Sequence, residues 1–137
     1  MPLFASHGAV FKRFIELGGE AAEGVLMPAL KAMVARHLAR DDPDKETVAK
    51  FMEAHEKKYG ALGTQFGLAG WDAVNLVAEA LGKAGADRGK LRDYIEGRKN
   101  FRGVVGLFSF SPEDHDGLVD VALVMVKVEK GDWALAR

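Results

Sequence analysis

The sequence contains no cysteine. That excludes disulfides, thiolate nucleophiles and cysteine-ligated metal centres together. It does not fix the compartment, because exported proteins can lack cysteine too. A charge excess is also missing: 19 Lys plus Arg stand against 20 Asp plus Glu, for a formal charge of -1. Nothing is available to neutralise a phosphate backbone, so no nucleic-acid partner is expected. No apolar run approaches the ~20 residues that a membrane span needs. The opening residues, Met1 to Gly8, carry no charged n-region, apolar h-region or small-residue cleavage pattern, so no signal peptide is read on this chain. Expressed as given, it would be cytoplasmic. What the sequence does have is 137 residues, 48% of them hydrophobic. One domain of that size buries roughly two-thirds of its unfolded surface.

Leu3-Phe4-Ala5 reads as the end of a strand with no lead-in. Val10, Phe11, Phe14 and Ile15 recur at helical spacing, and Gly18-Gly19 stops that helix. Val25-Leu26-Met27 is a short apolar run bounded by Gly24 and Pro28, which suits a buried strand. Ala32, Met33, Val34 and Leu38 fit one helical turn or two. Asp42 is expected to cap the next helix, with Pro43 in its first position, a stripe of Val48, Phe51, Met52, His55 and Tyr59, and a left-handed Gly60 at its end. A glycine-rich link leads to a third helix over about Leu68 to Lys83. Its apolar face of Trp71, Val74, Val77, Ala78 and Leu81 should pack on a sheet. Asp87 caps a fourth helix through Glu96. Val104 to Phe110 and Val121 to Val128 are strand-like, and Glu129-Lys130-Gly131-Asp132 is a hairpin turn into Trp133-Ala134-Leu135. Strands flanking a helical middle give an α/β class.

Chemistry finds little foothold. Asp114-His115-Asp116 sets three possible metal ligands side by side. Metal sites, however, collect ligands from separate elements, and the calcium-loop pattern is not there. Ser111-Pro112-Glu113-Asp114, with Gly117 for a positive φ, reads instead as a turn. A small metal hydrolase built on His7, His55 and Asp114 is disfavoured for the same want of ligand spacing, and no metal or other cofactor is expected. His55 lies on an apolar stripe, where a hydrogen-bonded core histidine is usual, whereas His37 and His115 read as solvent-facing. No serine sits in a nucleophile elbow, and Gly60-Ala61-Leu62-Gly63 matches neither a phosphate loop nor a dinucleotide fingerprint. The chain is not expected to be an enzyme. His7 stands between a strand end and a helix start, beside Ser6 and Gly8. Ligands of open α/β sheets bind just outside strand carboxyl ends, so a ligand contact and a plain helix-start histidine both fit.

Three segments taken together resemble the C-terminal portion of type I periplasmic substrate-binding proteins, the leucine/isoleucine/valine-binding group of branched-chain amino acid ABC transporters. The first is Ile15-Glu16-Leu17-Gly18-Gly19-Glu20-Ala21-Ala22-Glu23-Gly24-Val25. The second is Phe51 to Gly60 followed by Ala69-Gly70-Trp71-Asp72-Ala73-Val74. The third is Phe101-Arg102-Gly103-Val104-Val105-Gly106 with Phe108 to Gly117.

The resemblance implies part of a fold of two Rossmann-like α/β/α lobes, incomplete in this chain, with ligand clamped in the cleft by hinge closure. On that mapping, residues 1–29 end the second lobe, 30–119 return to the first, and 120–137 supply final strands of the second. The implied function is the substrate-binding component of an ABC transporter for branched-chain amino acids or related small organic acids. It implies a permease partner for the full-length parent and a periplasmic location. A cytoplasmic small-molecule sensor reusing the fold is the alternative. Phe66 falls where the family places an aromatic wall. His7 falls where amino-acid binders tend to have an acidic residue facing the ligand ammonium, with Ser6 beside it. A histidine there is expected to donate to an anion or carbonyl, moving specificity toward aromatic or other organic acids. An isolated piece is expected to self-associate through uncovered edges and faces around Trp71, Phe108 and Phe110.

Overall fold

The computed structural model describes residues 1–61, 63–121 and 123–136. In chain order its elements are α1 (Lys12–Gly18), β1 (Leu26–Leu30), α2 (Lys45–Tyr59), α3 (Gln65–Ala84), α4 (Arg88–Glu96), β2 (Phe101–Arg102), β3 (Gly106–Phe108), β4 (Leu118–Val121), β5 (Leu123–Glu129) and β6 (Asp132–Leu135). They form two compact units, Met1–Gln65 with Leu123–Arg137, and Phe66–Ala122.

In the first unit β1 pairs antiparallel with β5, and β5 with β6. The expected strand at 25–27 does not stop at Pro28 but runs through it to Leu30. The physical reason is which way each backbone group faces. The Val128 N–H donates to the Val25 carbonyl at 3.0 Å, so odd-numbered positions of β1 bond to β5. Pro28 is even, and its missing N–H falls on the outer edge, where no β5 carbonyl waits for it. The same parity puts both backbone groups of Leu26 outward. Its N–H donates to the Leu3 carbonyl at 2.9 Å and its carbonyl accepts from the Ala5 N–H at 2.8 Å, a short parallel bridge.

One face of this sheet is the core. Met27 and Ala29 on β1 and Val126 and Val128 on β5 are buried with Val10, Ile15, Ala22, Val34, Leu38 and Trp133. Each large aliphatic buried this way contributes about 1.5–3 kcal/mol. On the other face Leu123 and Met125 are exposed, and Lys127 pairs with Glu129 at 3.3 Å. The β5–β6 turn has Lys130 at φ 53° and Gly131 at φ 73°, the tight hairpin expected from sequence. The Glu23 carboxylate accepts from both of its N–H groups, at 3.0 and 2.7 Å.

Residues 31–37 form two 3₁₀ turns meeting at Val34 (φ -127°, ψ 28°). Helix α2 starts at Lys45, later than the cap at Asp42 anticipates. Asp42 accepts instead from the Asp44 N–H at 2.9 Å, closing a local turn around Pro43. Lys31 Nζ lies 3.1 Å from Asp42 and 2.8 Å from buried Asp44. Burial opposes its charge, but the two carboxylates outweigh that and hold its pKa above the ordinary lysine value. At the far end Gly60 takes the left-handed conformation, φ 69°, and its N–H bonds to Glu56.

In the second unit β3 pairs antiparallel with β2 and with β4. The expected strand over 104–110 is shorter, because 103–105 is a bend between β2 and β3. Asp72 on α3 holds that bend: its Oδ1 accepts from the Val104 N–H and its Oδ2 from the Val105 N–H, each at 2.8 Å. Any side chain at Gly103 would collide with that carboxylate. The run over 121–128 is likewise divided, its start lying on β4 and its remainder on β5 in the other unit's sheet; Ala122 lies outside the described residues. Helix α4 starts as expected, Asp87 accepting from the Lys90 N–H at 3.0 Å. Helix α3 departs most from expectation. Its buried positions are Gln65, Leu68, Asp72 and Ala80, whereas Val74, Val77 and Leu81 are 68, 46 and 44% exposed. Phe108 and Phe110, expected to be uncovered, are half-buried and stacked at 5.8 Å.

Burial raises the pKa of Asp72, and the two backbone N–H groups only partly offset it. A raised carboxyl favours folding below its unfolded pKa, and that contribution is lost as pH rises through the folded value. Glu79 is opposite: hydrogen bonds from Arg98 and Tyr94 lower its pKa, so its contribution is lost as pH falls. Urea unfolding of Asp72→Ala is expected to show a loss of about 2–4 kcal/mol, two N–H groups being stranded. Relative to Asp72→Asn, the wild type should lose ground as pH rises from the ordinary carboxyl range. Relative to Glu79→Gln, it should lose ground as pH falls below the ordinary carboxyl range.

Candidate functional site

Ser6 and His7 follow directly on the Leu3–Ala5 segment, at the carboxyl end of its parallel bridge to Leu26. Ser6 is extended (φ -77°, ψ 158°) and exposed, and its side chain does not cap the 3₁₀ turn His7–Ala9 that it precedes. His7 is half-buried, with Nδ1 3.2 Å from the Pro28 carbonyl oxygen. A carbonyl only accepts, so Nδ1 donates. The contact continues the outer edge of β1. Leu26 is satisfied by the backbone of residues 3–5, and the next outward carbonyl, that of Pro28, by the His7 ring.

Sequence reasoning singled out His7 but not its partner. Pro28 drew notice as a strand boundary rather than as a carbonyl placed by β-sheet parity 21 residues away. Phe66 lies in the second unit, in the first turn of α3, with 72% of its surface exposed. Ser6 and His7 are thus together, and Phe66 belongs to the other compact unit.

Two of the other three histidines are engaged elsewhere. His55 Nδ1 donates to the Ala61 carbonyl at 2.8 Å, and its ring stands between Phe51 and Tyr59 at 5.9 and 4.7 Å. His115 Nε2 lies 2.7 Å from Glu96. His37 is exposed. Segment 111–117 is the turn expected of it. The Ser111 and Asp114 backbones exchange hydrogen bonds at 3.0 and 3.1 Å, Asp114 Oδ1 accepts from the Gly117 N–H at 3.0 Å, and Gly117 has φ 60°. Among the described residues no group of three or more His, Asp or Glu could hold a metal ion. Nor is any helix among them long and apolar enough to cross a membrane.

Residues 3–132 match the family model described as periplasmic binding protein. The chain belongs to the periplasmic binding protein family. Solved structures agree. An extracellular ligand-binding receptor from Rhodopseudomonas palustris HaA2 superposes with a TM-score of 0.84 at 28% identity, covering 98% of this chain and 40% of that one. A putative branched-chain amino acid ABC transporter protein from Rhodospirillum rubrum gives 0.69 at 31%, covering 99 and 37%. The leucine binding protein LivK of Thermotoga maritima MSB8 gives 0.72 at 28%, covering 98 and 36%. No curated protein matches. The chain therefore spans about two-fifths of the length of these periplasmic binding proteins.

Replacing His7 by alanine leaves the Pro28 carbonyl without its donor at a half-exposed edge. Chemical denaturation is expected to show a cost of about 0.5–1.5 kcal/mol. A cost of zero would mean that the contact does not form in solution.

Proposed function

We propose that this chain is the C-terminal part of the substrate-binding component of an ABC uptake system. The solute is a branched-chain amino acid or a related small organic acid, held in the cleft between the two lobes of the complete receptor. The observation that carries the reading is the family match over 3–132, joined to the likeness to receptors named for leucine and for branched-chain amino acids. Such receptors bind and release rather than transform, so the role is binding, in the periplasm, with a transporter permease as partner. Ser6, His7 and Phe66 are taken as solute contacts of the complete receptor. The two compact units are taken as pieces of the two lobes, which moves the expected change-overs from 29/30 and 119/120 to 65/66 and 122/123. Residues 30–65 support this, since Val34 and Leu38 share the core of β1 and β5.

Grafting tests the reading. The chain replaces the matching segment of the Thermotoga leucine binding protein, and calorimetry follows solute binding to the folded chimera. Saturable binding of an amino or organic acid is expected, weakened at least tenfold by Phe66→Ala or His7→Ala. A folded chimera that binds no such solute contradicts the proposal. The isolated chain lacks most of the enclosed, desolvated pocket that tight sites need, so it should show no micromolar site.

Alone, the chain is expected to self-associate, because Val74, Val77 and Leu81 form an exposed apolar row on α3 and Leu123 and Met125 a second patch on β5. Size-exclusion chromatography should give a dimer or larger species, shifted toward monomer by Val74→Glu with Val77→Lys. A wild-type monomer that binds no hydrophobic dye would be the contrary result.

A further inference from the structure

We propose that the glycine-rich link after α2 is not a hinge but a strap, pinned to the first unit by Phe51 and His55. Any swing between the two units then draws its freedom from residues other than Gly60, Ala61 and Gly63. The composition of the link reads the opposite way, since glycines at 60 and 63 are those of a flexible joint. Each glycine, however, has a steric use that leaves it no freedom. Gly60 takes the left-handed φ of 69° that closes α2, and its N–H donates to the Glu56 carbonyl at 2.8 Å. Gly63 is buried, and a Cβ there would lie 2.9 Å from Phe51 Cε1 and 3.4 Å from Met52 Sδ. Glycine stands at 63 because the backbone lies hard against α2, a close approach rather than a bend.

Between the two glycines, Ala61 is held by a side chain. His55 Nδ1 donates to its carbonyl at 2.8 Å. The His55 ring is itself fixed, standing 5.9 Å from Phe51 and 4.7 Å from Tyr59 in a row one helical turn apart. Phe51 and His55, which meet the link, are half-buried, whereas Tyr59 is exposed. Gln65, where α3 begins, is buried too and belongs to the first unit. A hinge does not need glycine, because a residue at the end of an element can absorb the change in φ and ψ. Phe51 and His55 are thus positioning residues, which act by fixing the path of the chain as it leaves α2.

The test is amide nitrogen relaxation on the chain itself. Ala61 and Gly63 are expected with order parameters of about 0.85, the level of rigid backbone such as α2. Values below the range of α2 would overturn the proposal. His55→Ala removes the donor and is expected to drop both amides below about 0.6, with the β1–β5 ladder unchanged. His55→Asn keeps an N–H near the place of Nδ1 and should hold the wild-type values. Gly63→Ala drives a Cβ against Phe51 and should loosen the same two amides. Gly63→Ala combined with Phe51→Leu makes room for that Cβ and should restore them. Unchanged order in either His55→Ala or Gly63→Ala, or no recovery in its companion variant, would overturn the proposal.

Discussion

Two hydrogen bonds accepted by the Asp72 carboxylate determine how the bend between β2 and β3 in the second unit is held. The bend at 103–105 turns the chain from β2 into β3; the Gly103 N–H donates to the Gly106 carbonyl at 2.9 Å, and the Val104 and Val105 N–H groups are met by a side chain instead. Buried N–H groups need a partner, and Val104 is fully and Val105 partly buried. One carboxylate supplies two acceptors and so satisfies both at 2.8 Å. The cost is the burial of an anion, visible in the raised pKa of Asp72, and it is tolerated because the charge is shared between two donors. Gly103 follows from the same contact, since only hydrogen fits beneath the carboxylate. Two of the three segments that resemble binding proteins, the one around Trp71-Asp72-Ala73 and the one beginning Phe101-Arg102-Gly103, are therefore parts of one structural device.

The first unit solves a comparable problem at a sheet edge. The outward groups of Leu26 are taken by the short Leu3–Ala5 segment, and Pro28 removes one outward N–H outright. The remaining carbonyl is met by a side chain, that of His7. Edge protection and the orientation of His7 are one interaction here. In a binding protein this economy has a use: a strand end that cannot extend its ladder further is free to present side chains to a solute.

Much of the fold was legible because its signals are local. The stop of α1 at Gly18-Gly19, the left-handed Gly60, the Asp87 cap and the hairpin at Lys130-Gly131 each depend on residues within a turn of one another. The failures share a different cause. Passage of β1 through Pro28 depends on β5, about a hundred residues away; the bend at 103–105 depends on Asp72. The exposed row on α3 read as a sheet-facing stripe because its composition is that of a buried one, and Gln65, Leu68, Asp72 and Ala80 on another side are what this helix buries. At the candidate site, residue type alone pointed to His7, whereas its hydrogen-bond partner, the Pro28 carbonyl, is placed by the fold. Such long-range partners leave only a weak trace in sequence, an acidic residue in an apolar helix or a proline in an apolar strand.

The geometry of β2, β3 and their bend hangs from the Asp72 contact. Amide hydrogen exchange reads it directly. The Val104 and Val105 amides should exchange slowly in the wild type and lose most of that protection together in Asp72→Ala. Equal protection of both amides in the wild type and the variant would contradict the account.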